Sequence, residues 1–214
     1  MMKTLDYLRY IVEEIHTVIV ATIDGEGLPV TAAIDMMDYD ESGLYFLTAK
    51  GKSFYARLKD KEYMALTGIK GEDTMSCVAV SVRGKVKEMG ADLLPKLFEK
   101  NLYMNEIYPT ESSRQALTVF KLCEGSGEWF DLSKKPIERA SFSFGNIEEK
   151  QDGYMITDSC IGCGSCVEVC PQGCIMTDDI PYVIEQEHCL HCGNCYSVCP
   201  AGAVIRGDTD EKQI

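Results

Sequence analysis

The first 15 residues have the apolar spacing of a helix, and the residues that follow have the spacing of short strands. Leu5, Leu8 and Ile15, with Ile11 or Val12 between them, recur every three or four positions, which is the period of one helix face. Runs rich in apolar, β-branched and aromatic residues then predict strands: Thr17–Asp24, Val30–Met37, Leu44–Thr48, Tyr63–Ile69, Met75–Glu88, Leu117–Leu122, Glu128–Leu132 and Ser141–Gly145.

Two amphipathic stretches, at positions 52–59 and 93–104, predict helices between the strands. Glycine and aspartate mark turns at positions 25–27 and 40–43. Short strands that follow one another, with occasional helices, favour a β-barrel over a doubly wound sheet. The sequence has no GxGxxG motif to support a dinucleotide-binding fold. The first 146 residues are therefore predicted to be mainly β.

The last third of the chain carries a cysteine repeat. Nine of the 11 cysteines lie between Cys160 and Cys199, and the motif C-x2-C-x2-C-x3-C-P occurs there twice, with the second copy 29 residues after the first. Eight of 16 aligned positions are identical. In this spacing three thiolates bind one [4Fe–4S] cluster and the fourth binds the other cluster. The predicted ligands are Cys160, Cys163, Cys166 and Cys199 for one cluster, and Cys189, Cys192, Cys195 and Cys170 for the second.

Zinc is the alternative metal for such a cysteine cluster. Zinc sites use paired Cys-x2-Cys knuckles, and a third cysteine two residues further on has no place in a tetrahedral site. Residues 152–206 resemble the bacterial two-cluster ferredoxin family, whose fold of two short hairpins and two short helices is the α+β fold expected here. Cys174 aligns with Ala203 in the repeat, which favours a buried free thiol over a fifth ligand. Tyr154 and Tyr182 each precede a motif and are expected to cover a cluster.

The segment from Pro29 to Ser53 resembles the FMN-binding split-barrel family related to pyridoxamine 5′-phosphate oxidase. The shared features are a strand, an Asp/Gly turn, a second strand ending in Phe-x-Thr, and a basic helix start that contains serine. The resemblance covers roughly Val12–Gly145. It implies an FMN-binding split β-barrel that dimerises with the flavin at the seam.

A phosphate site is supported by the residues themselves. Lys50, Lys52 and Ser53 lie where a helix begins, and unpaired N–H groups and the positive end of the helix dipole favour an anion there. The resemblance adds the backbone of Ala33 and Ile34 and the side chain of Thr48 as flavin contacts.

The barrel segment departs from the vitamin B6 oxidases at basic positions. Ala32 and Met37 stand where those enzymes carry arginine and lysine, and Lys52-Ser53 replaces an adjacent basic pair. Pyridoxamine phosphate is therefore not the expected substrate. Two other hypotheses remain open. The barrel is only a dimerisation scaffold in a non-enzymatic electron carrier, or it binds another cofactor such as a deazaflavin or haem.

Charge and composition set the remaining expectations. The net charge is −13, of which residues 151–214 contribute −8 from ten acids and two bases. Such a surface repels nucleic acid, and it either favours a redox partner with a basic patch or only keeps the chain in solution. No long apolar segment or signal-like start is present, so we expect a cytoplasmic protein. The predicted domains are residues 1–146 and 151–214, and no catalytic acid or base can be named.

Together these features predict a flavin- and iron–sulfur-dependent oxidoreductase. A redox partner protein or a small-molecule acceptor would exchange electrons with it. FMN suits the junction between the clusters and a substrate because it exchanges one electron or two.

Overall fold

The computed structural model describes residues 2–147 and 153–207. The described residues divide into two compact units. The first contains the residues before Phe130 together with the segment from Ser141 to Ile147, and the second contains Phe130–Ala140 together with the residues from Gly153 onward. The predicted domain boundary between residues 146 and 151 stays a prediction, because residues 148–152 lie outside the described part of the chain.

The described residues 2–147 contain eight strands: β1 (Thr17–Ile23), β2 (Pro29–Asp35), β3 (Asp38–Asp40), β4 (Gly43–Ala49), β5 (Tyr63–Lys70), β6 (Val78–Gly90), β7 (Leu117–Asp131) and β8 (Glu138–Phe144). They form one sheet in the order β2-β1-β5-β6-β7-β4-β3, with β8 paired to β7. β2 lies at one end of this order and contacts β4, which gives the sheet the curvature of a barrel.

Helices cover the barrel where the chain passes between strands. They are α1 (Thr4–Tyr10), continued by a π-helical turn (Ile11–Ile15), α2 (Ser53–Lys61), α3 (Leu94–Lys100), α4 (Met104–Ile107) and α5 (Glu111–Arg114). The single helix expected at 93–104 ends early, because the buried side chain of Asn101 turns back to donate hydrogen bonds to the carbonyls of Leu97 and Met37.

The two strands expected at 117–122 and 128–132 are one continuous strand, β7. The glycines between them suggested a turn, but they are needed for close approach. A Cβ added to Gly125 would lie 2.8 Å from the Arg83 carbonyl oxygen and 2.8 Å from the Phe144 ring, and one on Gly127 would overlap the ring of Phe142. Glycine is the residue that permits such contacts inside a strand.

The barrel core is closed by aromatic packing at the N-terminal helix. Trp129 is buried and lies edge-on to Tyr10, with ring centroids 4.8 Å apart, and it also packs on Tyr7. Tyr7 in turn stacks on Phe142. The only tryptophan of the sequence is therefore a core residue, as large apolar side chains usually are.

A buried lysine ties the β3–β4 turn to β7. Lys121 Nζ lies 3.1 Å from Asp40 Oδ1 and donates to Ser42 Oγ and to the hydroxyl of Tyr45. Burial raises the pKa of Asp40, but the hydrogen bonds from Tyr45, Ser42 and Lys121 outweigh it and lower the pKa to about 2. The carboxylate therefore stays ionised and holds the start of β4 against β7.

The second unit contains two short two-stranded sheets and two short helices. β9 (Tyr154–Ile156) pairs with β12 (Val204–Arg206), and β10 (Ile175–Met176) pairs with β11 (Val183–Ile184). The helices are α6 (Ser165–Glu168) and α7 (Asn194–Val198).

The loop between β7 and β8 belongs to this second unit. His188 Nδ1 donates to the carbonyl of Ile137 at 2.7 Å, and Gln172 Oε1 accepts from the Ile137 amide. In the part of the chain that the structure describes, no helix has the length and apolarity to cross a membrane.

Candidate functional site

Strand pairing in the second unit brings the end of each cysteine motif to the start of the other. β12 follows the second motif and pairs antiparallel with β9, which precedes the first motif. β10 follows the first motif and pairs with β11, which precedes the second. Cys199 is thereby returned to the first motif and Cys170 is directed to the second. This exchange is the arrangement on which the ligand assignment from the sequence depended.

The first cavity has an open volume of about 320 Å³. Its cysteines are Cys160, Cys163, Cys166 and Cys199, three from the first motif and one from the second. Cys163 is exposed and Cys166 is buried, so the cavity reaches from the surface into the unit. Tyr182 also lines it and donates from its hydroxyl to the Gly162 carbonyl at 3.0 Å.

The second cavity has an open volume of about 340 Å³. Its cysteines are Cys189, Cys192, Cys195 and Cys170, with Cys174 as a fifth. Tyr154 lines this cavity as Tyr182 lines the first. Each tyrosine thus covers the cavity of the motif that it does not precede, an exchange that the sequence alone did not reveal.

Backbone geometry repeats between the two motifs. Gly164 and Gly193, which precede α6 and α7, have φ of 80° and 79°. Gly162 has φ of 68°, and its counterpart His191 has φ of 54°, a conformation that glycine adopts more easily than other residues. The His191 amide donates to Cys189 Sγ at 3.4 Å, so the left-handed backbone directs an N–H group at a cysteine sulfur.

The donor set of each cavity fits a cluster of several irons better than a single ion. Four thiols surround the first open volume and five surround the second. Among the described residues, no three His, Cys, Asp or Glu side chains converge closely enough to share one metal ion. Thiolates that wrap a cubane bind separate irons and stand farther apart than four ligands of one zinc.

In the barrel, the predicted flavin strand is the edge strand β2. Ala33 is exposed and Ile34 half-buried, and they pair with Ile19 and Val18 of β1. Among the described residues, no strand pairs with β2 on its other side, so its outer edge can offer backbone groups to a ligand.

The end of β2 is fixed by a polar cluster. Asp35 accepts hydrogen bonds of 2.6 Å from Thr17 Oγ1 and from the hydroxyl of Tyr103, and His16 Nε2 lies 3.2 Å from the same hydroxyl. Burial raises the pKa of Asp35, but these hydrogen bonds from Thr17 and Tyr103 lower it overall. His16 is therefore a member of the cluster that holds Asp35.

Thr48 carries an unsatisfied polar atom near the end of β4. The residue is 3% exposed, and its Oγ1 has no hydrogen-bond partner among the described residues. Thr118, opposite it on β7, donates to Glu88 Oε1 at 2.8 Å. Buried hydroxyls are normally hydrogen-bonded, so Thr48 is an acceptor or donor available to a bound group.

Lys50, Lys52 and Ser53 are exposed at the beginning of α2, with Lys52 as the N-cap residue. The amide of Lys50 is already bonded to the Ala116 carbonyl, so this residue can contribute only its side chain. Since α2 contacts β4 and β4 contacts β2, the six residues predicted for the flavin lie on neighbouring elements.

Arg57 is a further cation near the start of α2, and no sequence motif marks it. It lies one helical turn after Ser53, is half-buried, and donates from Nε to Thr22 Oγ1 at 2.8 Å. Long helical side chains lean back toward the helix N-terminus, and the guanidinium carries further N–H donors. The i,i+4 spacing from Ser53 was the available signal. Arg114, in contrast, is engaged by Tyr108, Asn105 and the face of Phe98.

Fold and site together define a split-barrel flavoprotein domain joined to a two-cluster ferredoxin domain. The profile of the pyridoxamine 5′-phosphate oxidase family matches residues 5–123, more than half of the chain, and that of the 4Fe-4S dicluster domain matches residues 159–203. The chain belongs to the pyridoxamine 5′-phosphate oxidase family. Its cofactors are FMN and two [4Fe–4S] clusters, as the sequence predicted.

Individual relatives are distant. The pyridoxine/pyridoxamine 5′-phosphate oxidase of Mycolicibacterium gilvum (strain PYR-GCK) is 27% identical over 135 residues, which are 59% of this chain and 59% of the relative. The chain therefore spans about three fifths of the curated relative that it matches.

Two solved structures share the barrel fold. A NimC/NimA family protein from Clostridium acetobutylicum has a TM-score of 0.53 and 16% identity, over 65% of this chain and 89% of its own. A haem-binding protein from Mycobacterium smegmatis has a TM-score of 0.52 and 12% identity, over 67% and 59%. At these identities the likeness establishes the fold alone.

Proposed function

We propose that the protein is an oxidoreductase that passes electrons between an external redox partner, two [4Fe–4S] clusters and FMN. The observation that carries the proposal is the pair of cysteine-lined cavities, each with four motif cysteines, in the same chain as a barrel of a flavin-binding family. The clusters supply one-electron carriers and the flavin supplies exchange of one or two electrons.

The cluster ligands that we propose are the four motif cysteines of each cavity: Cys160, Cys163, Cys166 and Cys199 in the first, and Cys189, Cys192, Cys195 and Cys170 in the second. Tyr182 and Tyr154 limit access of water to the two cavities. The acidic composition of residues 151–214 supports a basic docking surface on the redox partner.

For the flavin we propose a site formed by β2, the end of β4 and the start of α2. Ala33 and Ile34 offer backbone groups to the flavin ring, and the buried Oγ1 of Thr48 gains the partner that it lacks within the chain. Lys50, Lys52 and Ser53 bind the phosphate at the helix N-terminus. Arg57 adds a cation that Thr22 holds in place, which offsets the missing basic pair of the vitamin B6 oxidases.

The substrate that we propose is not pyridoxamine phosphate. Ala32 is half-buried on β2 and Met37 is buried in the core beside α3, so neither offers the positive charge that a second phosphate group would require.

The uncovered face of the sheet supports a homodimer through the barrel. Ile19 is 53% exposed and pairs with Ala33 on one side and Thr67 on the other, so all three share one face. Ile69, two residues beyond Thr67 on the same strand, is 65% exposed. An apolar patch of this kind is typical of a protein interface.

Cofactor analysis of anaerobically purified protein tests the proposal directly. We expect about eight irons and eight acid-labile sulfides per chain, together with one released FMN identified by mass. Eight irons without flavin, even after incubation with FMN, would favour the electron carrier with a scaffold barrel. Release of a deazaflavin or haem would show that the barrel binds that cofactor instead of FMN.

Substitutions at the start of α2 should weaken FMN binding without unfolding the barrel. Each of the changes Lys52→Ala and Arg57→Gln removes one cation from the proposed phosphate site, and we expect the Kd for FMN to rise about tenfold for each. The measurement is quenching of flavin fluorescence during titration of flavin-free protein.

Lys61→Gln is the matched control, because it removes the same charge from the opposite end of the same helix. Lys61 pairs with Asp60 there, so this variant should bind FMN as the wild type does. Equal affinity in all three variants would show that the phosphate lies elsewhere.

A further inference from the structure

Cys174 is the fifth sulfur of the second cavity, whereas the described residues that line the first cavity include four cysteines. The repeat aligns Cys174 with Ala203, and both residues are buried, at 3% and 1% exposure. Cys174 lines the second cavity and Ala203 lines the first. The two halves therefore present the same position to their cavities, one with a thiol and the other with a methyl group.

The Cys174 side chain contacts a proposed ligand. Its Sγ lies 3.5 Å from Cys170 Sγ, within the distance of a hydrogen bond between two sulfurs. The carbonyl of Cys174 accepts from the Glu185 amide at 2.8 Å where β10 meets β11, so the backbone that carries the thiol is anchored. Four other cysteines already line the cavity, which leaves Cys174 as a neighbour of the ligands.

A hydrogen bond to a ligand sulfur changes the reduction potential of the cluster that the sulfur holds. The donor withdraws electron density from the thiolate, which favours the reduced cluster because that state carries the additional negative charge. The S–H group of a cysteine that binds no iron is a hydrogen-bond donor.

We propose that the Cys174 thiol donates a hydrogen bond to the Cys170 thiolate and raises the reduction potential of the second cluster above that of the first. Cys174 is a positioning residue and forms no bond to iron. No bond forms or breaks at Cys174, and only the one-electron potential of the neighbouring cluster changes. The unequal potentials make the second cluster the preferred resting place of a single electron.

The test is an anaerobic redox titration of the holoprotein, followed by electron paramagnetic resonance, in the wild type and three variants. Cys174→Ala should lower the potential of the second cluster so that the reduced-to-oxidised ratio at fixed potential falls about tenfold, or about 59 mV for one electron. Cys174→Ser keeps a donor and should shift the potential less. Ala203→Cys places a thiol beside Cys199 in the first cavity and should raise the potential of the first cluster.

The inference rests on the proposed cluster ligands. Iron analysis distinguishes a failure of the proposed function from a failure of the role proposed for Cys174. Fewer than eight irons in the wild type would contradict the proposed function. Eight irons, with unchanged potentials in Cys174→Ala and in Ala203→Cys, would overturn the role of Cys174 alone. Loss of the second cluster in both Cys174→Ala and Cys174→Ser would make Cys174 a ligand and would also overturn it.

Discussion

Replacing Cys163 by serine is expected to remove one of the two clusters, so that the iron content falls from about eight to about four per chain. Serine is close in volume but is a poor ligand for the irons of a cluster, which select soft thiolates. The exposed position of Cys163 means that the substitution leaves the packing of the unit intact. Iron and sulfide analysis, with the amplitude of the cluster signals in electron paramagnetic resonance, measures the loss.

Pairs of cysteine substitutions distinguish an exchanged ligand set from two independent motifs. Cys163 and Cys199 line the same cavity although they belong to different motifs, so the double variant should lose no more iron than either single variant. Cys163 and Cys170 belong to the same motif but line different cavities, so that double variant should lose both clusters. The reverse result would mean that each motif binds its own four-iron cluster.

Much of the ferredoxin unit could be predicted because its site is encoded locally. The first three cysteines of a motif lie within a span of seven residues. The glycines between them carry the left-handed backbone that the loop requires. Ligand identity then follows from spacing alone. The tyrosines were harder to assign, because the cavity that each one covers depends on how β9 pairs with β12 and β10 with β11.

The barrel was less predictable because its decisive contacts join distant residues. The uninterrupted β7 depends on Gly125 fitting beneath Phe144, and local sequence around a glycine suggests a turn equally well. Arg57 is held by a hydrogen bond to Thr22, 35 positions earlier in the chain. His16 likewise lies within hydrogen-bond distance of Tyr103, which is distant in the sequence. None of these pairs leaves a periodic signal in the sequence.

Loss of either cluster is also expected to stop cluster-dependent reduction of the flavin. The chain passes between the two units at residues 129–130, at 140–141 and again after Ile147, so the units are tethered more than once. A short tether gives an effective concentration of the order of mM. With donor and protein at about 1 µM, the intramolecular route should therefore exceed an intermolecular one by about a thousandfold.

Stopped-flow spectroscopy with a reduced ferredoxin-type donor measures the bleaching of the flavin. The wild type should show a phase whose rate is independent of protein concentration, and Cys163→Ser and Cys192→Ser should lack it. Dithionite, which reduces free flavin directly, should still bleach all three proteins. With a donor whose docking surface is basic, the encounter should slow as salt is added, because salt screens its attraction to the acidic residues of 151–214.

A mixture of two variants decides whether the two units must share a chain. One variant lacks both clusters through Cys163→Ser and Cys192→Ser but binds FMN, and the other keeps its clusters but binds flavin weakly through Lys52→Ala and Arg57→Gln. At micromolar concentration the mixture should reduce flavin slowly, at a rate proportional to protein concentration. Reduction as fast as in the wild type would show that electrons reach the flavin without the tether.

The cluster-free variant measured alone tests the relay itself. Unchanged flavin reduction in this variant would show that the clusters do not pass electrons to the flavin. The ferredoxin unit would then serve a different acceptor from the barrel.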